Sequence, residues 1–345
     1  MNLSNVRTSR RTKYKISPKV VGKTLIIILI SLNIYNYTSF NLENGNDVSF
    51  PWYHSLVKMS QGGSWKSVDW SNPFSQGEED TFKCTWTQFV SAASGNSSEM
   101  CVHTFHDGIS DTIKGNKRWN DCNNLPSLWN KGIGAKNEDQ EGSSVYIEIG
   151  ANIGSCVMEM LLGTDANIIA FEPHPMNVYN LKKSISAMGE SYRNRVLLFP
   201  IGLGDSSATS KIYSASDNMG NSVIGKVIKD FDSQKFEESL QFDVHVERLD
   251  SILRAQGMNV KLMKIDAQGF ECRVFEGMGV EIAKKVEQIK FELATRWVDG
   301  QNCADLFPRI RGYGFDIYRN GLVLDEAPRG SSLVVDLLAM KSTSK

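Results

Sequence analysis

Four carboxylates stand where apolar runs of the sequence end. VYIEIG (145–150) carries Glu148, ANIIAFE (166–172) closes on Glu172, VKLMKID (260–266) closes on Asp266, and VEQIKFEL (286–293) holds Glu292 beside its end. Acids often cap the helix that follows a strand, so any one of them has an ordinary explanation. Four on one edge are different, because they repel and raise one another's pKa unless a cation offsets them. A metal or a sulfonium would serve.

The first acid opens EIGANIGSCVMEML, a glycine turn that runs into helical spacing. Such turns bring backbone close to a nucleotide-like ligand. Phosphate ligands fit poorly. The GxxxxGK[ST] loop is absent, Asn152 replaces the middle glycine of the dinucleotide fingerprint, and Glu148 would meet the phosphates with like charge. The pattern E-x-G-x-x-x-G with a later acid suits S-adenosylmethionine instead. Gly150 and Gly154 let the backbone approach the amino-acid part, and Glu148 lies near the ammonium or ties the loop. Glu172 can accept from the ribose hydroxyls, in charged hydrogen bonds worth roughly 1.5–3 kcal/mol each.

These residues need a sheet edge to gather them. The four runs above, with RVLLFPIGL (195–203), FDIYR (315–319) and SLVVDLLAM (332–340), read as strands. Helical patterns separate most of them, over 176–190, 270–278 and 303–314. Near-continuous apolar strands alternating with helices define an α/β fold whose largely parallel sheet is covered on both faces. Residues 204–259 break the rhythm and read as an insertion or antiparallel excursion. The last two strands lack a full helix between them, so one is expected to be antiparallel.

In order and spacing, EIGANIG, AFEPHPMNVYNLKKSI, PIGLGD, ERLDSIL, KIDAQGFECRVFEGM and IKFEL resemble the FkbM-type methyltransferases. The resemblance covers 145–341. It implies a class I, Rossmann-like methyltransferase sheet that binds S-adenosylmethionine and methylates a hydroxyl. Carried over, Glu148, Gly150, Asn152 and Gly154 form the cofactor loop, Glu172 is the ribose acid, and Asp266 is the acid at the fourth strand's end. Glu148 stands where the family often has Asp. Gln268 replaces a frequent Glu, which removes one charge and any acid/base role there.

Methyl transfer to an alcohol needs the two reactants positioned and the hydroxyl proton removed. Asp266 is the first candidate base, with Glu271 and Glu292 behind it. Lys264 shares a strand face with Asp266 and could hold it ionised. His174 reads as a turn residue fixing the loop after Glu172, and His103 and His106 read as packing or capping residues. No metal site is assigned. The rival readings are a non-catalytic methyltransferase fold serving as a binding or trafficking module, and a metal-assisted enzyme.

The charge of the chain is split. Seven basic residues precede the first acid, Glu43, so the rest of the chain is acidic and unsuited to nucleic acid. Residues 1–23 read as a basic cytoplasmic tail and the uncharged stretch 24–42 as a signal anchor, leaving a lumen-facing body in the Golgi or endoplasmic reticulum. A cleaved signal or an organellar transit peptide are the alternatives. Residues 43–80 read as a stem, 81–143 as an extension packing on the core, and 144–341 as the methyltransferase domain. Asn96-Ser97-Ser98 is a glycosylation sequon on an expected surface loop. Among Cys84, Cys101 and Cys122 one disulfide and a spare are expected, with Cys303 in reach, while Cys156 and Cys272 read as buried thiols. A lumenal acceptor would be a small molecule or a glycan.

Overall fold

In the computed structural model the central feature is an eight-stranded sheet of order β13-β12-β14-β11-β10-β3-β4-β5. Residues 53, 55–58, 65–131, 144–215, 218–225, 240–294, 304–328 and 334–342 are described. All of them belong to one compact unit, 52–345. The basic tail, the expected anchor at 24–42, and Cys303 lie outside the described residues. Among the described residues no helix is long and apolar enough to cross a membrane.

The chain enters through α1 (Gln76–Thr81), which opens with a Ser75–Glu78 capping box. A hairpin of β1 (Cys84–Val90) and β2 (Ser97–His103) follows, then α2 (Gly108–Asn116), a 3₁₀ turn at Asn120–Cys122 and α3 (Leu125–Lys131). The sheet begins with β3 (Ser144–Ile149), α4 (Ser155–Gly163), β4 (Asn167–Phe171), α5 (Pro175–Met188), α6 (Glu190–Arg193) and β5 (Val196–Phe199). A second, four-stranded sheet then interrupts it, built from β6 (Gly202–Leu203), β7 (Ala208–Ala215), β8 (Asn218–Ile224) and β9 (Phe242–Glu247). This is the excursion expected over 204–259. The main sheet resumes through α7 (Leu249–Ile252), β10 (Asn259–Ile265), α8 (Glu271–Ala283), β11 (Gln288–Ala294), α9 (Leu306–Gly312), β12 (Phe315–Arg319), β13 (Leu322–Val323) and β14 (Val334–Lys341).

Strands β5, β4, β3, β10 and β11 are parallel neighbours, while β14 runs antiparallel between β11 and β12. Alternate residues of a strand face opposite sides, and here both sides are covered. Val145, Ile147 and Ile149 join the large cluster with Phe275 of α8 and Leu306 of α9. Tyr146 and Leu262 join the opposite cluster with Leu125 of α3, Val157 of α4 and Leu181 of α5. Two-sided burial explains why the strands read as continuous apolar runs.

Two expectations are corrected. The described part of the supposed stem is docked rather than loose: Trp65 is buried in the core, Val68 N–H donates to Leu198 at 2.8 Å, and Trp70 Nε1 donates to Val196 O at 2.8 Å. Apolar tryptophan rings outweighed the polar, glycine-rich composition. Cys156 and Cys272 are not thiols. Cys122 bonds Cys156, Cys84 bonds Cys101, and Cys272 is disulfide-bonded as well. Cys156 heads α4, beside the 3₁₀ turn that carries Cys122, a proximity that linear spacing does not show.

Candidate active site

The carboxyl edge of the sheet opens into a cavity of about 530 Å³. Gly150, Asn152, Glu172, Asp266, Gln268 and Glu292 line its floor. Its roof comes from α2, through Ile109, and from β8, through Asn218, Gly220 and Ser222. One carboxylate joins these two roof elements. Asp107 caps α2 by accepting from Ser110 N–H at 2.8 Å and also accepts from Met219 N–H at 2.9 Å.

The glycine loop is built for close approach. Gly150 has φ +83°, and a Cβ there would stand 1.8 Å from the Asp266 carbonyl oxygen, so glycine is required. Asn152 also adopts a positive φ, 50°, with its side chain accepting from Ile153 N–H at 2.7 Å. Gly154 starts α4 and does not line the cavity. It leaves room for Leu181, whose Cδ1 would be 2.2 Å from an added Cβ.

Glu172 is buried against its own loop. It accepts from Asn152 N–H at 2.7 Å, His174 N–H at 2.9 Å and Asn177 Nδ2 at 3.3 Å. Burial nevertheless pushes its pKa up to about 7. A carboxylate has about four acceptor positions, so one remains for a ligand rather than the pair read for both ribose hydroxyls. His174 is the residue before α5, as the turn reading expected, and burial pushes its ring down to about 3.

Two of the expected site residues point elsewhere. Glu148 is buried in the sheet face beneath the cavity, where the Tyr146 hydroxyl donates to it and Lys264 Nζ lies 3.5 Å away. It therefore supports the floor. Burial pushes it up to about 7, with Lys264 opposing. Glu271 turns back under the loop, accepting from Ala267 N–H at 3.0 Å and Gly269 N–H at 3.1 Å. It is a loop brace with no face on the cavity.

Strand parity and register bring the others together. Asp266, Glu292 and Asp336 form one row across β10, β11 and β14, with Glu292 directly opposite Asp336. Two residues back lies a second row of Glu148, Lys264 and Lys290, in register across β3, β10 and β11. Both lysines are buried. Lys264 Nζ donates to Asp266 Oδ2 at 3.0 Å, and Gln268 Nε2 donates to Asp266 Oδ1 at 2.6 Å. Gln268 reaches back this way because it sits at φ 48°. Burial opposes a charge on Lys264, but Asp266, Glu148 and Asp121 outweigh it and hold its pKa well above the usual lysine range. Glu292 receives only a 3.4 Å contact from Gln268; burial, Asp266 and Glu271 push it up to about 8.

Asp121 and Asp336 also line the cavity and were not singled out in the sequence. Asp336 had a signal, a lone acid in VVDLLAM at the parity of an outward face. Asp121 had none. His103 and His106 bind no described cluster: His103 is buried between Asn177 and Asn180, and His106 pairs with Asp111. Among the described residues no group of acids, histidines or cysteines is arranged to hold a metal.

Residues 148–317 match the family model described as the FkbM methyltransferase domain, so the chain carries an S-adenosylmethionine-dependent methyltransferase domain of the FkbM family. No curated protein matches the chain. Solved structures that are similar include a precorrin-6y C5,15-methyltransferase from Geobacter metallireducens, at 12% identity over 58% of this chain and 82% of that one, with a TM-score of 0.30. An S-adenosylmethionine-dependent O-methyltransferase from Thermotoga maritima shows 10% identity over 73% and 77%, with a TM-score of 0.31. TYW2 from P. horikoshii, solved with MeSAdo, shows 13% identity over 75% and 73%, with a TM-score of 0.32. Similarities this distant carry no functional weight.

Proposed function

We propose that this protein transfers a methyl group from S-adenosylmethionine to a hydroxyl of a glycan or glycoconjugate in the secretory lumen. One observation carries the cofactor half. Among the described residues the cavity is lined by five carboxylic residues, Asp121, Glu172, Asp266, Glu292 and Asp336, and by no lysine, arginine or histidine. That donor set suits a cationic ligand and opposes a dinucleotide or triphosphate. When bound, S-adenosylmethionine would supply an electrophilic methyl group and a positive charge.

The chain's own residues then have distinct tasks. Gly150, Asn152 and the remaining acceptor position of Glu172 would hold the cofactor. Asp266, oriented through both oxygens by Lys264 and Gln268, would take the acceptor's hydroxyl proton. Glu292, neutral at pH 7 because burial and its acidic neighbours raise it, would donate a hydrogen bond to another acceptor oxygen. Positioning is the larger contribution, about 7–11 kcal/mol of barrier against the 10²–10⁴-fold expected of a base.

The lumenal half rests on the basic segment and uncharged stretch before residue 43, on the disulfides, which favour an oxidising compartment, and on the exposed sequon Asn96 in the β1–β2 turn. The test is calorimetric titration of S-adenosylmethionine into the full-length chain, followed by transfer of labelled methyl to a panel of glycans. Binding with transfer to a sugar hydroxyl is expected. Binding without transfer to any acceptor would favour the non-catalytic module, and no binding by folded protein would refute the reading.

A further inference from the structure

Lys264 and Lys290 are directly opposite each other on neighbouring strands, and both are buried. Each shares a strand face with the acid two residues ahead, Lys264 with Asp266 and Lys290 with Glu292. By symmetry each lysine should serve its own acid, but only one does. Lys264 donates to Asp266, whereas Lys290 donates not to Glu292 but to Asp121 twice, to Oδ1 at 2.5 Å and to the carbonyl oxygen at 2.7 Å. Among the described residues no cation lies within ion-pair distance of Glu292.

Asp121 comes from the 3₁₀ turn before the family-matched residues, and the next residue, Cys122, is bonded to Cys156 of α4. The disulfide fixes the turn over the sheet face. Asp121 Oδ2 also lies 3.6 Å from Lys264 Nζ. Burial would raise the Asp121 carboxyl, but Lys264 and Lys290 outweigh it and hold it below its usual range.

We propose that Asp121 is a positioning residue of the methyl-transfer site: by holding Lys290 it keeps that ammonium off Glu292, so that of the two facing acids only Asp266 has a cation of its own. This rests on the reading of Asp266 and Glu292 given above. The consequence is an unlike pair, one acid bonded to a buried ammonium and one without such a partner, from two strands of the same local pattern, apolar–Lys–apolar–acid, in MKID and IKFE. Sites that run proton chemistry near neutrality separate paired acids in this way. Without Asp121, Lys290 is free to swing two residues along its own strand face to Glu292 or Asp336. The other groups acting on Glu292 are Asp266, Glu271, Asp336, Lys264 and the Gln268 amide.

The test is a carbon-13 carboxyl titration of the full-length chain, with the Glu292 resonance identified by its loss in Glu292→Gln. The titration needs neither cofactor nor acceptor, so its result stands apart from whether methyl transfer is found. Wild type should titrate Glu292 near pH 8, and Asp121→Asn should bring the midpoint down toward the ordinary glutamate range. The double variant Asp121→Asn/Lys290→Met should restore the high midpoint, which a merely structural role for Asp121 does not predict. Lys290→Gln alone should leave Glu292 near its wild-type midpoint, and this variant keeps the test open if Asp121→Asn does not fold. An unmoved midpoint in folded Asp121→Asn, a double variant that stays low, or a clear rise in Lys290→Gln would each overturn the proposal.

Discussion

The two ends of the cavity floor each hold a buried carboxyl with a raised pKa, yet they are built in opposite ways. Glu172 takes three hydrogen bonds from the loop it braces. Glu292 takes one long contact from Gln268 and faces acids on both sides. Glu172 is raised by burial against good solvation by N–H groups. Glu292 is raised by burial and repulsion together. A carboxyl satisfied by its own loop is scaffold with one acceptor position to spare. A carboxyl left unsatisfied in a cavity is waiting for a ligand.

The comparison can be broken from its scaffold side first. Gly150→Ala forces a Cβ into the Asp266 carbonyl. Loss of about 2–4 kcal/mol of stability and of measurable S-adenosylmethionine binding are expected, read by denaturant melts and calorimetry. Glu172→Gln is next. Its amide cannot accept at both oxygens, so one loop N–H is left unpaired, at about 1–3 kcal/mol. Cofactor affinity should fall about 10- to 100-fold. A variant that melts like wild type but loses affinity would show that Glu172 is a ligand group more than a brace.

Glu292→Gln should do the reverse. The folded protein keeps the Glu292 proton up to about pH 8, while the ordinary glutamate value is 4.5. Across that window the folded state binds more protons than the unfolded chain, so this group's contribution to stability is full below pH 4.5 and declines as pH rises to about 8. The variant lacks that decline. It should be more stable than wild type at pH 8, on the order of 1–2 kcal/mol, and the gain should vanish near pH 4.5 in thermal melts. An equal effect at both pH values would remove the distinction between the two ends. Asp336→Asn should have the smallest effect, within about 0.5 kcal/mol at pH 7, because removing its charge relieves repulsion from Asp121 and Asp266 while losing attraction to Lys290 and Lys264.

Much of this was legible in the sequence. All seven main-sheet strands expected from their apolar runs are present, six with nearly the expected limits, while the run 195–203 is divided between Val196–Phe199 of the main sheet and Gly202–Leu203 of the second sheet. The antiparallel β14 follows from the missing helix before it. Gly150, Asn152, Glu172, Asp266 and Glu292 meet at one cavity because strand ends in a parallel sheet share an edge. The failures have a common cause, which is side-chain direction across elements. Glu148 follows the parity of Tyr146 into the covered face, below the cavity. Glu271 belongs to the first turn of α8, where carboxylates brace backbone N–H groups. Asp121 meets Lys290 across a sequence separation of 169, and no local pattern announces such a meeting.

One further consequence concerns where the molecule can be cut. The family match runs from 148 to 317, but the folding unit does not. A fragment trimmed to the match would lose β14 from between β11 and β12, with Asp336. It would lose Asp107 from the Met219 amide and Cys122 from its bond to Cys156. It would also carry two buried lysines without Asp121. Homology borders and excision borders therefore differ here, and a shortened version meant for biochemistry must keep the extension and the last strand to retain a lidded cavity.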